Sequence, residues 1–460
     1  MKQFMTLCIS LVIVGFLNLT AQTEHISVEL LNTIQSTLTF DNQTRAMQNA
    51  VSNNDVRSLA LNRELINQSD HHFAHKIPVP SITDQKSSGR CWLFTALNVL
   101  RPKVIEQYNL KDFEFSQSYL FFWDQLEKAN LFLEAVISTR DMDIDDREVQ
   151  WLFQNPIGDG GVWSMMPCLV TKYGVVPKEA MKESYNSENT RMMSRLIRRK
   201  LRAQGMQIRQ WHAAGKKENY IRRQKPAMLA EIYRILVISM GTPPTEFSWR
   251  YTDKNDNLIN AGVFTPQSFY AEVVGTKLDD YVMLMDDPSK EYYHLYEIKY
   301  DRNCFEGPNW TFINLPVAEI KAAARRSLLA NEPMYFSCDV GKQLDRERGL
   351  LALDLFDYES IYGVSFAMTK EQRILTYESG STHGMNLIGL DTSATGSVTK
   401  WLLENSWGPQ AGHQGYLTMT DAWFDEYMFR LVVLKQFLPD ATLAILKQKP
   451  ILLPPWDRMF

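Results

Sequence analysis

The chain has 460 residues, of which 22% are charged and 12% aromatic, and a formal net charge of -4. That length supports a large buried core in two or three domains or one elaborated domain, and the composition excludes wholesale disorder. The near balance of charge leaves no global signature for a polyanionic partner.

Lys2 precedes a mostly apolar run from Phe4 to Leu17, followed by Asn18-Leu-Thr-Ala-Gln. This reads as a secretory signal peptide (residues 1–21) cleaved after about Ala21, and it is too short for a comfortable membrane span. The rival reading is an uncleaved N-terminal anchor. Cys8 lies inside the run, not at its end, which argues against a lipoprotein anchor. No later segment is apolar for long enough to cross a bilayer, so an exported (periplasmic or extracellular) mature chain without a transmembrane span is expected. Four cysteines then remain, Cys91, Cys168, Cys304 and Cys338, too widely spaced for a disulfide framework to be expected in a chain of this size. Neither Cys-x-x-Cys nor His-Glu-x-x-His occurs, so no zinc site is expected.

Residues 22–75 are polar and mixed, with one helix expected from Thr39 to Ile66, and form a propeptide or an N-terminal wrap. His71, His72 and His75 lack a nearby carboxylate or thiolate partner and read as solvated or structural histidines. The stretch Gln85-Lys-Ser-Ser-Gly-Arg-Cys-Trp-Leu-Phe then turns at Ser87–Gly89 into an apolar helix, placing Cys91 at or just inside the N-terminus. There the helix dipole and open N–H groups favour a thiolate. Gln85 reaches back over the turn, its side-chain NH2 partnering the Cys91 N–H toward an oxyanion.

Ser116 is positioned to cap the next helix, which runs through Leu131. Gly158-Asp-Gly-Gly-Val-Trp is a loop: either a plain turn, or a place where a peptide substrate lies along unobstructed backbone at Gly160 and Gly161. A helix from about Met165 ends at Tyr173-Gly174, with Pro177 beyond it. Residues 191–225 carry twelve Arg and Lys against the single acid Glu218, a positive helical face. Without aromatic interleaving, and behind a signal peptide, this argues for a solvated or intersubunit face over nucleic acid. Short strands follow at Phe247, Tyr281 and His294, then a helix from Val317 to Ala330 and a buried strand after Pro333.

A thiolate needs a base that returns its proton to the leaving amine. His383 is the best placed, at the entry to an alternating strand in Ser-Thr-His-Gly-Met-Asn-Leu-Ile. Its second nitrogen needs an acceptor, which Asn405 supplies at the end of another strand, with Trp407 covering that bond and expected to contact substrate as well.

Gln85, Gly89, Cys91, Trp92, His383, Asn405, Ser406, Trp407 and Gly408 resemble the papain superfamily. The longer strings resemble its bleomycin hydrolase/aminopeptidase C family: Thr83-Asp-Gln-Lys-Ser-Ser-Gly-Arg-Cys-Trp-Leu-Phe, Phe115-Ser-Gln-Ser-Tyr-Leu-Phe-Phe, Asp159-Gly-Gly-Val-Trp, Tyr173-Gly-Val-Val-Pro-Lys and Glu404-Asn-Ser-Trp-Gly. Such strings recur from about Asn49 to Met459. Cys91 and His383 lie 292 positions apart, against about 130–150 in a compact papain-like enzyme, so roughly 150 residues are inserted.

The resemblance implies an α+β, papain-like fold with two lobes, a large helical and strand insertion and an extended C-terminal arm. The boundaries expected are a helical lobe with Cys91 (76–180), the insertion (181–300), a β-rich lobe with His383 and Asn405 (301–440) and the arm (441–460). It also implies a homohexameric cage, peptide substrates, no metal or organic cofactor and no activation by propeptide removal. In the family the arm lies in the cleft and its terminal carboxylate holds the substrate amine, a role that falls here to Phe460. Arg458 departs from the usual proline and the sequence stops early, so a more open cleft with dipeptide-releasing or endopeptidase activity is an alternative to an aminopeptidase. The expectation is an exported cysteine peptidase acting through a thioester. Its rivals are a catalytically retired binding protein and a nucleic-acid-binding cage.

Overall fold

The structure, a computed structural model, describes residues 25–459. The expected signal segment and Phe460 lie outside the described residues. The chain forms two compact units that divide after Leu61.

The first unit contains helices Val28–Ser36, Asn42–Asn53 and Val56–Ala60. Each starts at a side-chain cap, from Ser27, Asp41 and Asp55 respectively. The single helix expected from Thr39 to Ile66 is therefore broken. Asp55 and Asn62 accept hydrogen bonds from the N–H groups of the next turn, so each starts a new helix where the previous one stops.

In the second unit a twelve-stranded sheet runs in the order Ile451–Leu453, His294–Ile298, Thr311–Asn314, Tyr281–Met285, Met428–Leu434, Met334–Cys338, His383–Thr392, Val398–Glu404, Tyr416–Thr420, Leu350–Leu351, Leu344–Asp345, with His75–Lys76 added beside His383–Thr392. Strands Tyr281–Met285 and His294–Ile298, placed with the insertion on sequence, belong to this sheet. The strand that begins at His383 is buried along most of its length, because both of its faces are covered. Tyr335 and Val432 point into a core shared with the helix Cys91–Gln107, whereas Phe336 and Leu431 point into a second core shared with the helix Val317–Leu329. The alternation is the two-residue repeat of a pleated strand.

The helical side is centred on Gln117–Ser138, capped by Ser116, whose hydroxyl accepts from Tyr119 N–H. Two long helices, Arg191–Ala213 and Glu218–Met240, pack on it through Met193, Ile197, Leu201 and Ile208 and through Ile232, Leu236 and Met240. That spacing is one apolar stripe of a helix. Much of their positive charge is used locally. Arg222 and Lys225 both bind Glu134, and Lys200 binds Glu231. Arg209 donates to the carbonyls of Thr139 and Met142, and Arg202 to those of Phe153 and Gln154, at helix C-termini where a cation is favoured.

Cys168 and Cys304 form a disulfide, which corrects the expectation of none. Pairing was invisible at a sequence separation of 136 residues and became possible when the loop after strand His294–Ile298 folded against helix Met165–Tyr173. His71 binds Thr418 at 2.8 Å and stacks on His413 at 3.9 Å, a structural use of that histidine. No helix among the described residues is long and apolar enough to cross a membrane.

Candidate active site

Cys91 is the first residue of helix Cys91–Gln107 and is partly exposed. The helix lies across strands His383–Thr392 and Met334–Cys338. Close approach occurs at Gly384, where a Cβ would stand 3.2 Å from Tyr335 Oη and 3.4 Å from Thr95 Oγ1. With no side chain there, the thiol and the His383 ring meet in a hydrogen bond. Burial alone would push the Cys91 thiol up, but the His383 charge, its hydrogen bond and the N–H groups of Gly384 and Trp92 outweigh it and hold the thiol below its ordinary range.

His383 is 6% exposed. Its Nε2 lies 2.8 Å from Asn405 Oδ1, and that oxygen also accepts from Ser406 N–H at 2.8 Å. With Nε2 donating to Asn405, Nδ1 is the nitrogen left to face the thiol. The Trp407 ring stacks on the imidazole at 4.9 Å, and Arg346 sits 4.3 Å over Trp407. Gln85 is locked from both ends: Nε2 donates to the Ser88 carbonyl at 2.7 Å and Oε1 accepts from Ser406 Oγ at 2.7 Å. The second Nε2 hydrogen remains for the cavity, which Gln85 lines together with Cys91 and His383.

That cavity, of about 580 Å3, also receives Gly160 and Gly161, for different reasons. At Gly160 a Cβ would meet nothing, whereas at Gly161 it would fall 2.7 Å from the Trp92 ring. Gly160 is open to a ligand, and Gly161 is required by packing. The loop is held by Lys128, which donates to the carbonyls of Gly158 at 3.2 Å and Gly160 at 2.6 Å, and by the Trp92 indole, which donates to the Asp159 carbonyl at 2.8 Å. Trp407 is not among the lining residues. Its ring lies against the imidazole and shields it. Phe460 lies outside the described residues.

Sequence reasoning missed Lys128, Asp301, Tyr335 and Arg430, which also line the cavity. Arg430 had a signal: a cation inside the apolar strand Met428-Phe-Arg-Leu-Val-Val. Asp301 had none.

The sequence profile of the Peptidase C1-like family matches residues 25–460. The chain belongs to that family. It is 39% identical to bleomycin hydrolase of Homo sapiens over 433 residues, covering 92% of this chain and 95% of the relative. It is 38% identical to aminopeptidase C of Streptococcus thermophilus over 416 residues, covering 90% and 94%. The crystal structure of PepW from Lactobacillus rhamnosis HN001 superposes with a TM-score of 0.92 at 37% identity, over 95% of this chain and 99% of that one. This Peptidase C1-like chain thus has the papain-like α+β fold and is a cysteine peptidase of the bleomycin hydrolase/aminopeptidase C group.

Proposed function

We propose that the chain is an exported aminopeptidase in which Cys91 is the nucleophile, and the observation that carries this is the Cys91–His383–Asn405 relay. The thiolate attacks the scissile carbonyl. The resulting oxyanion is held by the Cys91 N–H at the helix N-terminus and by the free Nε2 hydrogen of Gln85. His383 gives its Nδ1 proton to the leaving amine, forming a thioester, and then takes a proton from the water that hydrolyses it. Asn405 holds the ring in the tautomer this needs without competing for the proton. Gly160 provides unobstructed backbone for the peptide.

The C-terminal arm supports an N-terminal cleavage mode. Its strand Ile451–Leu453 pairs with His294–Ile298, and the Met459 carbonyl accepts from Arg430, a lining residue, so the arm limits the cleft at one end. Export is supported by the apolar run Phe4–Leu17 and by the Cys168–Cys304 disulfide, a bond that persists in oxidising compartments. A homohexamer is supported by Met192, Leu196 and Ile238, exposed apolar side chains on the inserted helices. Kinetics on matched peptides with free and acetylated N-termini test the reading. A strong requirement for the free amine is expected, and equal cleavage of blocked peptides would instead establish an endopeptidase.

A further inference from the structure

Beside His383 but outside the cavity stand Trp407 and Arg346, neither of which is a lining residue. The Trp407 ring lies 4.9 Å from the imidazole, and the Arg346 guanidinium lies 4.3 Å from the Trp407 ring centroid. Laid end to end, these separations put the cation within about 10 Å of the imidazole. The acyl part of a bound peptide occupies the cavity along Gly160, and His383 hands its proton to the leaving amine. The departing part of the substrate therefore starts at His383 and extends out of the cavity, toward Trp407 and Arg346.

Arg346 is fixed by its backbone and open at its head. It stands in the turn between strands Leu344–Asp345 and Leu350–Leu351, which pair antiparallel. Asp345 Oδ1 accepts from the N–H groups of Glu347 and Arg348, each at 3.1 Å, and the Arg346 carbonyl accepts from Gly412 N–H at 3.2 Å. The turn is seated closely against the loop that follows Trp407: a Cβ at Gly349 would fall 2.5 Å from the His413 backbone nitrogen. Among the described residues the guanidinium forms no hydrogen bond or ion pair, and it rests on the Trp407 face.

Charge decides what this head can take. The neighbouring carboxylates are already engaged: Asp345 with Arg348 at 2.6 Å, and Asp84, whose backbone bridges to Trp407, with Lys86 at 2.6 Å. Glu347, exposed in the same turn, makes no ion pair with Arg346. A guanidinium held on an aromatic face with its N–H groups open is a receptor for a carboxylate, to which its planar fork donates two parallel bonds. An extended residue advances a peptide by about 3.3–3.6 Å. A carboxylate on the first or second residue past the cleaved bond thus comes within reach of the Arg346 side chain.

We propose that Arg346 binds a carboxylate on the departing side of the substrate, supplied by an Asp or Glu side chain or by the C-terminus of a short peptide. The proposal rests on the peptidase reading of the same site.

The test uses free-amine peptides that differ only past the cleaved bond, with kcat/KM measured near pH ~7.5 at low salt. One pair carries Glu or Gln as the first residue after the bond, with an amidated C-terminus. A second pair carries Gln there and ends in a free acid or an amide. In at least one pair the carboxylate form is expected to exceed the neutral form by about three- to tenfold, and the pair that responds names the source. In about 1 M NaCl, where the screening length is about 3 Å, that ratio is expected to fall near unity in the wild type. Arg346→Gln is expected to do the same at low salt, Arg346→Lys to keep part of the ratio, and Arg346→Glu to favour the neutral form. Each ratio is read on one preparation, so a variant that folds in lower yield still reports. Ratios near unity in both wild-type pairs overturn the carboxylate site and leave the peptidase reading standing, as does a ratio that survives both Arg346→Gln and Arg346→Glu. Failure of the wild-type chain to cleave any peptide of the panel overturns the peptidase reading, and the carboxylate site with it.

Discussion

Arg101 and Glu404 meet at 2.5 Å with side chains only 1% and 0% exposed. Glu404 also accepts from Asn98 at 3.1 Å and Asn386 at 3.0 Å. Arg101 lies on the helix that begins at Cys91, and Glu404 immediately precedes Asn405. The pair therefore ties the helix that begins at Cys91 to the strand that leads into Asn405.

Breaking this pair leaves a lone charge in the core. Glu404→Gln or Arg101→Met is expected to lower unfolding stability by about 3–5 kcal/mol, and Arg101→Met/Glu404→Leu together to recover most of it. Urea unfolding of the four proteins measures this. Single variants within about 1 kcal/mol of the wild type would show that the pair does not couple the two elements.

The depressed Cys91 thiol sets a pH profile. The thiolate is present above its folded pKa and is lost as pH falls through it, so alkylation by iodoacetamide persists below the ordinary thiol range. In His383→Ala the alkylation midpoint moves up, because burial then acts unopposed, and kcat/KM falls by about 10²–10⁴-fold. An unmoved midpoint would mean that the imidazole does not stabilise the thiolate.

The Cys168–Cys304 disulfide closes a long loop. Replacing both cysteines by serine is expected to cost about 2–4 kcal/mol. Because Cys304 adjoins Asn303 and lies close in sequence to Asp301 on the cavity wall, KM is expected to rise as well. Unchanged stability with and without reductant would argue that the bridge is not formed in the folded protein.

Burial pushes Asp301 up to about 6, with Arg430 and Lys128 opposing the shift. The other titratable or charged groups on the cavity wall are Tyr300, Arg302, Tyr335, Cys91 and His383. As pH falls through that value Asp301 gains a proton and becomes a donor, so cleavage of a Glu peptide should gain on its Gln counterpart. Taking the ratio of the two kcat/KM values cancels the pH dependence that both peptides share. A ratio constant from about pH 7.5 to about pH 5 would sink this expectation.

Two adjacent glycines should respond differently. Gly161→Ala forces a methyl against the Trp92 ring, at an expected cost of about 1–3 kcal/mol. Gly160→Ala meets open space and should leave stability within about 0.5 kcal/mol while raising KM. Thermal unfolding and peptide kinetics on both variants separate packing from substrate contact.

Cys91, His383, Asn405 and Gln85 were legible in the sequence because each stands at a local boundary. A turn leads into a helix at Cys91, a strand begins at His383, and another ends before Asn405. The rules for these boundaries act over a few residues. Resemblance to known strings then supplied the expectation of two lobes. The break of the expected Thr39–Ile66 helix was a local event too, but it turned on whether Asp55 and Asn62 aim their side chains at the backbone, which residue type alone does not decide.

What only the tertiary structure decided is everything that depends on register between distant strands. The pairing of Ser337 with Arg430 puts a guanidinium on the cavity floor. The fold of the 300–304 loop buries Asp301 and brings Cys304 to Cys168. Strands Tyr281–Met285 and His294–Ile298 are hydrogen-bonded into the large sheet. Chain-local preferences set where an element starts and stops, whereas hydrogen bonds between strands and burial of a charge gain their energy only after residues far apart in sequence have met.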